Sequence, residues 1–339
     1  MTLALLPTLL ASCQARQGDE ANPTEIRSDG RFRWTLTRLA NVSPTQQFEW
    51  LDNETILLIG VDKTKTRGLF AWDRKDKARL LLPDAYRLCF DGETWRALVN
   101  KQDPNSQTRS HIRYQINPKD LTVTRIGPMA SPKGGGYFNI YTCNEEPYPK
   151  ELSEGPWIPL RPEDGYILLG HNWERNQEAL LVEPRSGART PLGFRVNDPT
   201  TLLSHYSDYG RYYVLYDTSL SLQELQTWNK SGEYTIFSLT APANIQAIRI
   251  KQGPWSEARA GDREFEIARH GIIISSKGGA PRKTNNAGIY IIKKDHTFTR
   301  LDNGFIESPT ISANGCRLAY KRSQEGPLGR LTSINLCAP

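Results

Sequence analysis

Six times between Asp52 and Lys321 the chain repeats one phrase: a turn-forming Asp, Asn or Gly, then a run of branched and aromatic residues. The six are DNETILLIG from Asp52, DGETWRALV from Asp91, DGYILLG from Asp164, DYGRYYVLY from Asp208, HGIIIS from His270 and NGCRLAYK from Asn314. Their starts are 39, 73, 44, 62 and 44 residues apart, a period of roughly 40 to 45 with two enlarged units. A second apolar run follows each: GLFAW, HIRYQI, EALLVE, ELQTW, GIYIIK and GRLTSINL. After five of these come a charged or Gly-containing turn and a third run: ARLLL, LTVTRI, ARTPLGF, EYTIFSL and TFTRLD. With a short strand ahead of each phrase, such as TQQFEW or SPTIS, every unit reads as a four-stranded antiparallel meander. Six such units predict an all-β, six-bladed β-propeller. The 26 Gly and 22 Pro disfavour a helical bundle, and no apolar run is long enough to cross a membrane as a helix.

The sixth unit stops after INL without a last strand, and a spare strand exists at the other end, in RFRWTLTRL from Arg31 to Leu39. Pairing the two closes the ring through an amino-terminal strand in the last blade and removes two exposed edges.

Two of the phrases, SPTISANGCRLAYKR and SHYSDYGRYYVLYD, resemble the S-P-D-G-x-x-[IL]-A-[FY] signature of TolB-like propeller repeats. The resemblance covers roughly residues 31 to 339 and implies the repeat architecture and an envelope location. Its motif residues build turns and strands and carry no chemistry, and the separate amino-terminal α/β domain of TolB-type proteins is not expected here.

The apolar stretch from Leu3 to Leu10 runs into Leu-Ala-Ser-Cys, which resembles a bacterial lipobox ending at Cys13. That reading makes residues 1–12 a signal peptide, 13–29 a lipidated flexible tether and 30–339 the propeller. Diacylation at Cys13 supplies stable anchoring, and Gln14 directs the protein to the outer membrane, facing the periplasm. Four cysteines remain, an even number in a compartment that permits disulfides. If the segments around Cys316 and Cys337 are neighbouring antiparallel strands, their ends meet, so Cys316–Cys337 is the expected bond and Cys89–Cys143 follows by elimination.

Residues 127–160, rich in Gly, Pro and aromatics, form an insertion between units two and three, expected to lie on a propeller face with Cys143 pinned to Cys89. Loops joining the first two long strands of each unit share one face and hold eleven Lys or Arg against six acids, a net of +5 where the whole chain carries +6. A basic binding face is therefore expected, built from Lys63, Lys65, Arg67, Arg109, Arg175, Lys277, Arg282, Lys283, Lys321 and Arg322.

No catalytic constellation is evident. The five histidines are scattered through different units, GxSxG is absent, and KGGG at Lys133 lacks the strand–loop–helix context of a phosphate cradle, so neither metal nor cofactor is expected. The expected function is non-catalytic: a monomeric domain, on the membrane by its lipid anchor alone, that binds an envelope protein or an anionic glycan or lipid headgroup. Nucleic acid is not an expected partner despite a pI near 9.0. The alternative is a hydrolase or lyase acting on glycans or peptides, with acidic residues such as Glu174 or Asp217 drawn from several blades.

Overall fold

A blade strand packed between two neighbouring blades must be apolar on both sides, and β-residues alternate sides, so the strands here read as unbroken apolar runs. Ile56–Asp62 shows the consequence. Ile56 and Leu58 join a core with Trp50, Phe70, Trp72, Ala319 and Leu331. Leu57 and Ile59, pointing the other way, join Leu69, Ala71, Leu88, Trp95, Ala97 and Ile116 in the next core.

The computed structural model describes residues 22–30, 32–75, 77–90, 93–102, 109–129, 133, 136–139, 142–147, 157–159, 165–168, 177–183, 186–196, 202–207, 212–217, 234–238, 246–248, 253–254, 263–276, 286–293, 295, 297–323 and 329–337. The chain opens with β1 (Thr24–Ser28) and β2 (Arg33–Arg38). Blade one is β3 (Val42–Trp50), β4 (Ile56–Asp62), β5 (Arg67–Trp72) and β6 (Arg79–Pro83). Blade two is β7 (Ala85–Phe90), β8 (Trp95–Gln102), β9 (Arg109–Ile116) and β10 (Val123–Pro128). A hairpin follows, β11 (Tyr137–Asn139) and β12 (Asn144–Glu146). Blade three is β13 (Trp157–Pro159), β14 (Tyr166–Leu168), β15 (Gln177–Val182) and β16 (Arg189–Val196). Blade four is β17 (Leu202–Ser207), β18 (Tyr212–Asp217), β19 (Tyr234–Ser238) and β20 (Gln246–Ile248). Blade five is β21 (Arg263–Ala268), β22 (Gly271–Ser276), β23 (Gly288–Ile292) and β24 (Phe298–Asn303). Blade six is β25 (Ile306–Ile311), β26 (Arg317–Arg322) and β27 (Arg330–Asn335), extended outward by β2 and then β1. These are antiparallel meanders of a β-propeller, with no α-helix among the described residues. The first strands of neighbouring sheets pack on one another, β21 on β25, β25 on β3 and β3 on β7.

Ring closure follows the sequence expectation: β2 pairs antiparallel with β27, Leu36 opposite Ile334. The tether expected over 13–29 is revised at its end, because Thr24–Ser28 is a fifth strand on blade six, Ile26 opposite Thr35. Its side chains gave no apolar signal, and Ile26 is 61% exposed. The strand is held by its backbone ladder and by Arg27, whose Nη1 donates to the fully buried Asp302 carboxylate at 2.8 Å and to the Leu301 carbonyl at 3.2 Å.

In blade four ELQTW was expected between DYGRYYVLY and EYTIFSL. Those residues lie outside the described ones, and Tyr234–Ser238 pairs directly with β18, so EYTIFSL is the third strand and Gln246–Ile248 the fourth. The alternating Tyr, Thr, Ile and Phe of that segment suit a pleated sheet better than polar ELQTW does.

Both expected disulfides are present, Cys89–Cys143 and Cys316–Cys337, with Cα separations of 5.6 and 5.2 Å. For the second the local argument holds, since Arg317 pairs with Asn335 at the end of β26 and β27. The first fixes the described hairpin of the insertion, and that hairpin is not on a propeller face. Cys143 and Cys89 are buried with Leu98 on the side of blade two remote from blade one, and Tyr137 meets Trp157 of blade three edge to face at 5.1 Å. The hairpin is thus seated between the broad sides of two blades, where apolar and disulfide contacts bury it.

Candidate functional site

At the β4–β5 turn one carboxylate caps the loop through two residues. Asp62 Oδ1 accepts the backbone N–H of Thr64 and Thr66, each at 2.9 Å, and the Thr64 hydroxyl at 2.8 Å. These hydrogen bonds, the Thr64 hydroxyl first, hold the Asp62 carboxyl below the usual carboxylate range. Lys65 takes a left-handed φ of 66° within the turn. Lys63, Lys65 and Arg67 all stand exposed on this hairpin.

Lys321 and Arg322 lie at the same end of the ring but are occupied within the fold. Lys321 Nζ is 3.6 Å from Glu307, and Arg322 reaches Asp302 at 3.6 Å and Asn303 at 3.2 Å. Arg109 stands opposite Gln102 at the open end of the β8–β9 ladder. Arg175, Lys277, Arg282, Lys283 and Cys13 lie outside the described residues, as do Glu174 and, in its side chain, Asp217.

The chain enters the propeller at this same end. The Arg38 N–H donates to the Pro23 carbonyl at 3.0 Å, and the Ala40 N–H to Asn22 Oδ1 at 3.1 Å. Leu39 N–H donates to Leu331 just beyond the β26–β27 turn, and Val42 pairs with Asp62 at the base of the basic hairpin. Asn22 therefore sits beside the cationic turn rather than across the ring from it.

Around the ring's centre, acids from different blades tie neighbouring inner strands together. Glu264 Oε2 of β21 accepts the Ser308 N–H of β25 at 2.7 Å, and the Thr310 hydroxyl of β25 donates to Glu49 of β3 at 2.9 Å. Gln47 of β3 repeats the pattern by accepting the Leu88 N–H of β7 at 3.0 Å. Both β3 and β25 carry Ser-Pro-Thr at a bulge, and in β25 Ser308 is left-handed, φ 52°. These hydrogen bonds tie the inner strands of neighbouring blades together. Among the described residues no three His, Cys, Asp or Glu side chains are placed to hold a metal.

A polar wall that sequence reading passed over lies under the insertion. Arg87 of β7 and Arg113 of β9 flank Leu98 of β8 in register, which puts all three on the hairpin side of blade two. Arg113 Nη1 donates to Asn144 Oδ1, Arg96 Nη1 to the Thr142 carbonyl at 3.3 Å, and the Arg87 guanidinium lies 5.0 Å over the Phe138 ring. Burial pushes the Arg87 pKa down. Beside them Tyr86 and His111 share a 2.7 Å hydrogen bond between the phenol oxygen and Nδ1. The signal was legible as three arginines inside apolar strands of one unit, AYRLCF, WRALVN and HIRYQI. What it lacked was an indication that the insertion covers that side.

No family model and no curated protein matches this chain. Solved structures similar in fold include the β-propeller domain of the Trilobed protease from Pyrococcus furiosus, at 11% identity and TM-score 0.37 over 94% of this chain and 99% of that one. The Cps50 (Swd1) β-propeller domain of Myceliophteria thermophila is similar at 10% identity and TM-score 0.41, over 92% and 99%. An acylaminoacyl peptidase from Pyrococcus horikoshii is similar at 12% identity and TM-score 0.37, over 92% of this chain and 50% of that one.

Proposed function

We propose that this is a TolB-like propeller lipoprotein of the bacterial outer membrane, acylated at Cys13, facing the periplasm and acting as a non-catalytic binding module. It presents the end of the ring bearing Lys63, Lys65 and Arg67 to an anionic envelope surface. The observation that carries the reading is the shared end: Asn22 meets Ala40, close to the base of the Asp62–Arg67 hairpin. Cys13 and Asn22 are nine positions apart, so an anchor there lies within about 30 Å of the ring. A lipid anchor on that leash turns the cationic hairpin toward headgroups, where each exposed Lys or Arg contributes about 1 kcal/mol near an anionic surface.

The test uses the chain from Ala15 onward, so that binding does not depend on the lipid. Vesicles containing phosphatidylglycerol, or solubilised envelope extract, should retain it at about 50 mM salt and release it at about 300 mM, because the Debye length shrinks across that range. Neutralising Lys63, Lys65 and Arg67 to Gln should abolish the low-salt retention. Retention indifferent to both salt and these charges would refute the reading.

A further inference from the structure

We propose that the hairpin-facing side of blade two binds a tetrahedral oxyanion of the phosphate class, with Arg87 and Arg113 as its ligands. Three observations converge. First, the Arg87 guanidinium is half-buried and lies 5.0 Å over the Phe138 ring, which is 36% exposed, and it forms no hydrogen bond or ion pair among the described residues. Its five N–H donors therefore have no acceptor among the described residues. Second, Arg113 spends Nη1 on Asn144, while its Nε is buried without a hydrogen-bond partner. A buried N–H left without an acceptor is costly. Third, both arginines stand opposite the same residue, Leu98, on the two adjoining strands, so their Cα atoms are about 10 Å apart with side chains on one side.

Geometry selects the ligand class. One guanidinium saturates a carboxylate in a bidentate fork, whereas two forks approaching from opposite flanks need acceptor oxygens on several sides, which phosphate supplies. The neighbouring carboxylates do not occupy the arginines. Glu146 accepts from the Thr142 hydroxyl, and Glu145, opposite Phe138, makes no ion pair with either arginine. The shared chemistry fits a free phosphomonoester or the headgroup phosphate of a lipid, and the site lies apart from the cationic β4–β5 turn.

The chain from Ala15 onward is titrated with inorganic phosphate, against sodium chloride of equal ionic strength, and thermal stability and calorimetric heat are followed. A saturable rise in melting temperature beyond the chloride control is expected, as for any ligand that binds only the folded state. Arg87→Gln should weaken phosphate at least 10-fold while melting at nearly the unliganded wild-type temperature. Arg113→Gln should do the same, and if it fails to fold, Arg87→Gln decides alone. The Lys63/Lys65/Arg67→Gln variant should bind phosphate like the wild type, which separates this site from the surface-binding reading. Glycerol 3-phosphate and phosphatidic acid vesicles distinguish the sources: Arg87-dependent binding of either supports the site and names its ligand. Equal phosphate binding by wild type and Arg87→Gln, transfer of the effect to the triple variant, or no Arg87-dependent binding of any of the three probes would overturn it.

Discussion

Replacing Arg27 with Met tests how the ring is latched. Arg27 is 26% exposed at its side chain, and its partner Asp302 is at 0%. The Arg27 guanidinium supplies the shortest ion-pair contact to that carboxylate, 2.8 Å, against 3.6 Å from Arg322, with Tyr320 donating its hydroxyl at 2.8 Å. A hydrogen bond to a charged group contributes about 1.5 to 3 kcal/mol, and stripping a partner from a buried charge costs about 3 to 5. Arg322 and Tyr320 remain to hold Asp302, so about 2 kcal/mol is expected for Arg27→Met. The Met side chain keeps the aliphatic stem, so the loss reports the guanidinium. Urea denaturation measures the global term, and hydrogen exchange locates it: amides of Thr24–Ser28 should lose protection most, those of Arg330–Asn335 least. A loss below about 0.5 kcal/mol with unchanged exchange in β1 would refute the idea that this contact fastens the strand.

The Tyr320 hydroxyl is held above the ordinary tyrosine range, first by burial and then by Asp302. Its folded pKa therefore exceeds the unfolded one, so its stability contribution is full below about pH 10 and falls as pH rises beyond it. Tyr320→Phe should flatten that alkaline decline in urea midpoints and lower stability at pH 7 by about 1 to 2 kcal/mol. Cys316–Cys337 closes 21 residues and Cys89–Cys143 closes 54, so their Ser pairs should lose about 3 and about 4 kcal/mol by the chain-entropy argument. Only the second should also raise exchange in Tyr137–Glu146. Gly271 has φ 155°, and a Cβ there would lie 2.0 Å from the Ile292 carbonyl oxygen. Gly271→Ala should cost more than about 2 kcal/mol and appear as a lower melting temperature.

Local chemistry determined much of the architecture. Unbroken apolar runs such as Ile56–Ile59 specify strands buried on both sides, and turn residues such as His270-Gly271 and Asn314-Gly315 mark where each hairpin reverses. The missing last strand and the spare strand at Arg33–Arg38 identified each other, and the cysteine pairs were readable because one joins the ends of adjacent strands and elimination leaves the other. The basic β4–β5 turn was legible too, since Asp-Lys-Thr-Lys-Thr carries its own cap.

Only the tertiary structure decided the rest. Thr24–Ser28 became a strand because β2 offered an open backbone edge and because Arg27 meets Asp302, 275 positions away in sequence. No composition rule sees an ion pair of that span. Lys321 and Arg322 read as free loop cations, yet Glu307 and Asp302 face them across neighbouring strands. The insertion carried Gly, Pro and aromatics suited to a surface loop, and its seat between blades two and three followed from burying Cys143 beside Leu98 and Tyr137 against Trp157. The same seating brought Asn144 and Phe138 onto Arg113 and Arg87. Along the chain those arginines were charges interrupting apolar strands, and sheet register with the cover of the hairpin placed them together on one side of blade two.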